Sequence, residues 1–357
     1  MSISPSPPAD LKAFIRVKAE QIGFDLFGVS DASQPPHLAQ YRLWLAEGCH
    51  GEMAYLERHL PLKADPLTLL PEARSILVVA LSYFRPEPAQ AMSQNKLFQI
   101  ARYARGDDYH GFMKRMLESL AQAISVETGP FAWRAFVDSG PLLERELAQR
   151  AGLGWIGKNT CLINPQAGSF LLLGCLLTDL ALETDKPFTS FHCGSCTRCL
   201  DACPTQAITA PHHLDARRCI SYWTIEQREA IPEPLRAQFG DWAFGCDICQ
   251  EVCPWNLRFA KISETPEFYP RDWITTAPLA KLLLLSEHEF SLQIAPRSPI
   301  KRPKYRGFVR NLAVVAGNSG SLDLLPVLHQ ARAVHAGDPM LAEHLDWAIG
   351  RLTGHRG

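Results

Sequence analysis

The chain has 357 residues, 46% of them hydrophobic and 20% charged, with a formal net charge of −1. That length exceeds one ordinary core, so two or three domains are expected. A charge so near zero excludes attraction of the whole molecule to nucleic acid or membrane, and any such partner must be met by a local patch.

Residues 8–23 predict an amphipathic helix closed by Gly23, residues 24–30 (FDLFGVS) a strand, and residues 36–48 a second helix. Ser75–Tyr83 has the unbroken apolar run of a buried strand, bounded by Pro71 and Pro86. Helices are predicted over 109–127 and 142–151, a strand over 135–137, and one or two buried strands over 168–182. Together these predict an α+β or α/β domain over residues 1–185. Residues 186–265 lose the long hydrophobic periods and gather cysteines, as small metal-held domains do. From 266 to 357 the chain turns helical (279–285, 308–316, 322–333, 340–352), in short Leu/Ala-rich segments resembling HEAT-type hairpins.

The N-terminal MSISPSPPADLKAF has neither the basic start nor the apolar run of a signal peptide. The most apolar stretch, 169–182, is too short for a membrane span and contains Asp179. A reducing cytoplasm is therefore the expected setting. There, eleven cysteines point to metal or catalysis rather than disulfides.

Cys193, Cys196, Cys199 and Cys203-Pro204 form C-x2-C-x2-C-x3-C-P, the bacterial ferredoxin run, whose fourth cysteine serves the other cluster. A second run, Cys246, Cys249 and Cys253-Pro254, lacks one ligand, and Cys219 between the runs can supply it. One [4Fe–4S] cluster then takes Cys193, Cys196, Cys199 and Cys253. The other takes Cys203, Cys219, Cys246 and Cys249. Two four-cysteine zinc sites are the alternative, but zinc needs neither the successive x2 spacings nor the repeated Cys-Pro. Cys49, Cys161 and Cys175 read as packed thiols.

Two motifs mislead. GLGWIGK (152–158) matches G-x-G-x-x-G, yet a helix precedes it and a strand follows, the reverse of a nucleotide loop. Its glycines are expected to end the helix and turn the chain. Asp108-Tyr109-His110-Gly111 is a fragment of a motif that presents histidine to cobalt, but Met113 stands where glycine is required.

IARYARGDDYH (100–110), FVDSGPLLERELAQRAGLGWIGKNT (136–160), GCDICQEVCPWN (245–256) and KYRGFVRNLAVVAGN (304–318) together resemble the epoxyqueuosine reductase family. The resemblance runs from about residue 10 to the C-terminus. It implies a cobalamin-binding α+β domain, a two-cluster ferredoxin-like domain and helical repeats. The implied reaction removes the epoxide oxygen of epoxyqueuosine at the tRNA wobble position, with cobalamin fed by the clusters and an unidentified low-potential electron donor. Asp138 matches the family's proton donor, although DSGP by itself reads as a helix cap. To act as an acid near neutral pH it needs shielding, since burial raises a carboxyl pKa.

The resemblance also places corrin contacts at Lys63 (usually arginine in the family), Arg102, Asp138, Asn159, Leu162, Ser221 and Asp247. Arg297, Lys301, Arg302, Lys304, Arg306 and Arg310 fall in a stretch without acids and predict a phosphate-binding face for the anticodon arm. A corrinoid reductive dehalogenase and a ferredoxin-type electron carrier are the competing readings.

Overall fold

The computed structural model describes residues 10–86 and 97–354. Residues 1–9, on which part of the leader argument rests, lie outside them.

Helix α1 (Leu11–Ile22) begins where the Asp10 carboxylate accepts the Ala13 N–H, and it ends at Gly23, whose φ of 109° returns its N–H to Ala19 and Glu20. Then come β1 (Leu26–Ser30), α2 (Leu38–Ala46), β2 (Ser75–Ser82), α3 (Tyr109–Thr128), β3 (Trp133–Val137), α4 (Glu144–Arg150) and β4 (Leu171–Thr178). Residues 168–182 form one strand of the sheet, not two. Beyond it the Thr178 hydroxyl turns the chain by accepting the Leu180 N–H.

The sheet order is β1-β2-β4-β3 and every pairing is antiparallel, which settles α+β over α/β. All of β2 is buried because both faces of the sheet are covered. Leu77, Val79 and Leu81 meet Ile15 and Ala19 of α1 and Leu117 and Ala121 of α3. The alternate residues Ile76, Val78 and Ala80 meet Leu147 and Ala148 of α4. Each large aliphatic side chain so buried contributes about 1.5–3 kcal/mol. On β1, a Cβ at Gly28 would stand 2.2 Å from the Ala151 oxygen. Glycine there lets the end of α4 rest on the sheet, and this fixes the start of GLGWIGK.

In the cysteine segment the helices shrink to four to six residues. A hairpin of β5 (Ile208–Ala210) and β6 (His213–Leu214) stands between Cys203 and Cys219. The C-terminal helices are α5 (Leu279–Leu283), α6 (Lys304–Asn318), α7 (Leu325–Val334) and α8 (Pro339–Thr353). Their core includes Phe98, Ile100, Ala243 and Phe244, because Gln99–Ile100 pairs in parallel with Trp242–Phe244. The helical segment thus shares its core with both preceding segments. Among the described residues no helix is long and apolar enough to cross a membrane.

Candidate iron–sulfur and proton-transfer site

Cys193, Cys196, Cys199 and Cys253 line one cavity of about 140 Å³. Cys203, Cys219, Cys246 and Cys249 form the second group: burial and the charges of Cys219 and Cys203 raise the Cys246 thiol pKa, and the Cys161 thiol, burial and the charges of Cys246 and Cys219 raise that of Cys249. The grouping is the one expected from the spacing. Among the described residues no three of these sulfurs lie within 4.8 Å of one another. The cavity lined by the first four thiols accommodates an inorganic core larger than one ion. Trp155 Nε1 donates to Cys193 Sγ at 3.5 Å and the Ala207 N–H to Cys203 Sγ at 3.3 Å. Hydrogen bonds of this kind tune cluster potential.

GLGWIGK serves the first group. Gly152, at φ 77°, ends α4, and Trp155–Ile156 then pairs with Leu162–Ile163. Lys158 Nζ donates to the carbonyls of Gly194 and Cys196 at 2.7 and 3.0 Å. Its ammonium holds the cysteine loop, where a phosphate loop would use it on a nucleotide.

Asp138 leaves the end of β3 at φ 50°, a left-handed conformation rare outside glycine. It caps no helix: α4 begins only at Glu144, after Leu143. Its Oδ2 accepts the Tyr109 hydroxyl at 2.5 Å and lies 3.2 Å from His110 Nε2. His110 Nδ1 is 2.7 Å from Asp108 Oδ1, and Lys301 Nζ donates to Asp108 Oδ2 at 2.7 Å. Burial opposes charge on both partners, but the hydrogen bonds win. They lower the Asp138 pKa and push that of His110 up to about 9. In this structure the hydrogen bonds thus favour the carboxylate form of Asp138 and the protonated form of His110. Beneath the loop, burial pushes Glu144 up to about 8 while it accepts the Asp138 N–H.

Sequence reasoning missed Tyr109 and His110. The available signal was Asp108, which caps α3 and, from two residues away, reaches both the His110 N–H and its ring.

The expected corrin contacts divide. Asp247 is buried, its pKa raised by burial to about 6 despite the Arg102 N–H that it accepts at 2.7 Å. Arg102 also pairs with Glu251 at 3.0 Å. Asn159 donates to the Cys249 carbonyl at 3.4 Å, and Ser221 hydrogen-bonds Cys219. These four border the second cysteine group. Leu162 has its side chain in the core against the sheet. Lys63 is buried, with Nζ on the Leu142 carbonyl at 2.9 Å, so it supports the loop after Asp138. Cys161 lies near the second cysteine group, and the neighbouring Cys249 thiol lowers its pKa. Arg145 donates to the Thr160 carbonyl at 2.6 Å, and its charge helps to lower the Asp138 pKa.

The basic stretch is largely paired. Arg297 meets Asp107, Lys301 meets Asp108, Arg302 meets Glu226 at 2.9 Å and Arg306 meets Asp338. Lys304 is exposed. Arg310 departs from expectation. It is 0% exposed and donates to the carbonyls of Trp223, Gln227 and Glu229 and to Asn311. It braces α6 against the cysteine segment and cannot meet phosphate.

Two four-cysteine groups, with the hydrogen-bonded Asp138–His110 pair, define an iron–sulfur oxidoreductase on an α+β scaffold. The family profile described as 4Fe-4S double cluster binding domain matches residues 192–256, and that described as Epoxyqueuosine reductase QueG, DUF1730 matches residues 63–139. An epoxyqueuosine reductase of Xanthomonas campestris pv. campestris is 44% identical over 348 residues, 96% of this chain and 97% of that one. That of Pseudomonas aeruginosa is 44% identical over 354 residues, 98% of this chain and 97% of the relative. A crystal structure of epoxyqueuosine reductase with an epoxyqueuosine-modified tRNA stem loop superposes with a TM-score of 0.86, at 30% identity, covering 96% of this chain and 90% of the other. The chain belongs to the epoxyqueuosine reductase family.

Proposed function

We propose that this chain reduces epoxyqueuosine at the tRNA wobble position to queuosine. Two electrons and two protons convert the epoxide to an alkene and release its oxygen as water. The observation that carries this reading is the hydrogen-bonded Asp138–His110 pair in a chain that also carries two four-cysteine groups.

The two cysteine groups would hold [4Fe–4S] clusters, whose chemistry is single-electron transfer from a low-potential donor. A bound cobalamin would supply a metal able to deliver two electrons to carbon. Arg102, Asn159, Ser221 and Asp247 would hold the corrin beside the second cysteine group, and Tyr103 lies within electrostatic reach of both Asp138 and Asp247. Asp138 orients the imidazolium and relays its proton to the departing oxygen. The Tyr109 hydroxyl, its pKa raised well above 10 by burial and the neighbouring Asp138 charge, stays protonated and fixes the carboxylate. Arg297, Lys301, Arg302, Lys304 and Arg306 receive the anticodon arm, and the wobble base leaves its stack to reach the site. Helices α6–α8 are read as a small HEAT-like unit, and the setting as cytoplasmic.

The test is single-turnover conversion of a modified stem loop with a chemical reductant. Asp138→Asn and His110→Asn should each keep about eight irons per chain and bind the RNA normally, yet slow conversion by about 10²-fold or more. Near-normal conversion by both variants sinks the assignment.

A further inference from the structure

Away from the cysteine groups, among the described residues one set of side chains meets metal distances. Glu47, Cys49 and His213 place a carboxylate oxygen, a sulfur and a ring nitrogen within 4.8 Å of one another. Glu47 follows α2, Cys49 lies in the turn after it, and His213 opens β6.

The hydrogen bonds around His213 orient its ring. The Thr209 hydroxyl is 2.8 Å from His213 Nδ1 and donates, at 3.4 Å, to the His213 carbonyl. His213 Nε2 lies 2.8 Å from Glu47 Oε2. With Nδ1 protonated, the Nε2 lone pair faces that oxygen, and a cation between them satisfies both acceptors. Cys49, only 4% exposed, donates its thiol to the same Glu47 oxygen at 3.7 Å. Loss of that proton turns the same geometry into a third, soft donor.

We propose that Glu47, Cys49 and His213 bind a divalent cation of zinc type, with solvent completing the tetrahedron. A thiolate, a carboxylate and a neutral imidazole cancel its charge. The thiol proton and any second ring proton leave as the metal enters. Bonds of about 2.0–2.3 Å place ligand atoms about 3.3–3.8 Å apart, so Glu47 and His213 need open by about 0.5 Å and the sulfur close by at most about 1 Å. The Thr209 bond supplies the outer contact that orients a metal-binding histidine. The site would staple the first domain to the hairpin between two second-cluster ligands, Cys203 and Cys219. That junction already carries Trp44 Nε1 on the Leu214 carbonyl at 2.6 Å and the Ala216 N–H on the Cys49 carbonyl at 2.8 Å.

The test uses anaerobically purified holoprotein, since empty cluster cysteines would themselves take zinc. Zinc chloride is added, loosely held metal is removed on a chelating resin, and zinc and iron are counted in the same sample. Iron-replete protein should retain one zinc per chain. Cys49→Ser and His213→Ala should lose it, and Glu47→Gln, at a half-exposed position, should weaken it at least tenfold without changing the iron. X-ray absorption at the zinc edge should show one sulfur at about 2.3 Å among nitrogen and oxygen neighbours at about 2.0–2.1 Å. Iron-replete protein without zinc, a shell of four sulfurs, or equal retention by all three variants overturns the proposal. Should the cysteine and histidine variants lose iron through misfolding, Glu47→Gln decides alone, and unchanged zinc affinity there overturns it.

Discussion

Asp138 and His110 are two residues sharing one proton, and the pair titrates as a unit. The raised His110 pKa sets the direction of the pH dependence. The imidazolium is fully present at neutral pH and is lost as pH rises through about 9. Single-turnover conversion should therefore be flat near pH 7 and fall on the alkaline side, and His110→Asn should abolish that limb along with most of the rate. An alkaline limb unchanged in the variant would assign the titration elsewhere. The sequence made Asp138 legible only through its neighbours in FVDSGPLLERE, because DSGP by itself describes a helix cap. What it could not convey is the left-handed turn at Asp138, which carries the carboxylate away from α4 and toward α3. Nor could it give the charge on His110, whose partner Asp108 is held by a lysine nearly two hundred residues away.

Among the elements, the stretch from 297 to 310 shows how a charge pattern misleads when a helix changes environment along its length. Up to Arg306 its side chains reach solvent, but from Gly307 to Gly317 α6 is buried on every side. Within GFVRNLAVVAG a lone arginine had to be an interior strut, and the apolar run around it, broken only by Asn311, was the signal. Neutralising Lys301, Arg302, Lys304 and Arg306 together should weaken stem-loop binding and flatten its salt dependence by about 0.7–0.9 per lost phosphate contact. Arg310→Met should leave that slope alone. It should instead cost about 3 kcal/mol or more in denaturant unfolding, since buried carbonyls lose a charged donor. A changed salt slope in the Arg310 variant, or none in the fourfold one, would contradict this division. The cysteine spacing needed no such correction, because ligands repeated at fixed intervals encode a local geometry directly.

For the molecule as a whole, the sequence delivered the succession of segments but not their dependence on one another. The boundary expected near 265 follows a real change in composition, yet Phe98, Ile100, Ala243 and Phe244 lie in one core with Leu282, Phe308, Leu312 and Leu345. Contacts between residues so far apart leave no periodicity to read. A chain ended at residue 265 should consequently fail to hold its full iron content and should expose apolar surface, as measured by iron assay and dye binding. A truncated chain with about eight irons and native stability would show that the helical segment is an independent appendage.

The same closeness of segments gives Lys301 two possible partners. In the free protein its ammonium neutralises Asp108, the carboxylate that holds the far side of the His110 ring. An RNA phosphate that draws Lys301 away leaves Asp108 uncompensated, and the imidazolium is then bound more firmly. Docking and proton affinity become two readings of one charge balance. The alkaline limb of conversion should lie at higher pH for a stem loop than for the free nucleoside, and Lys301→Met should bring the two limbs together.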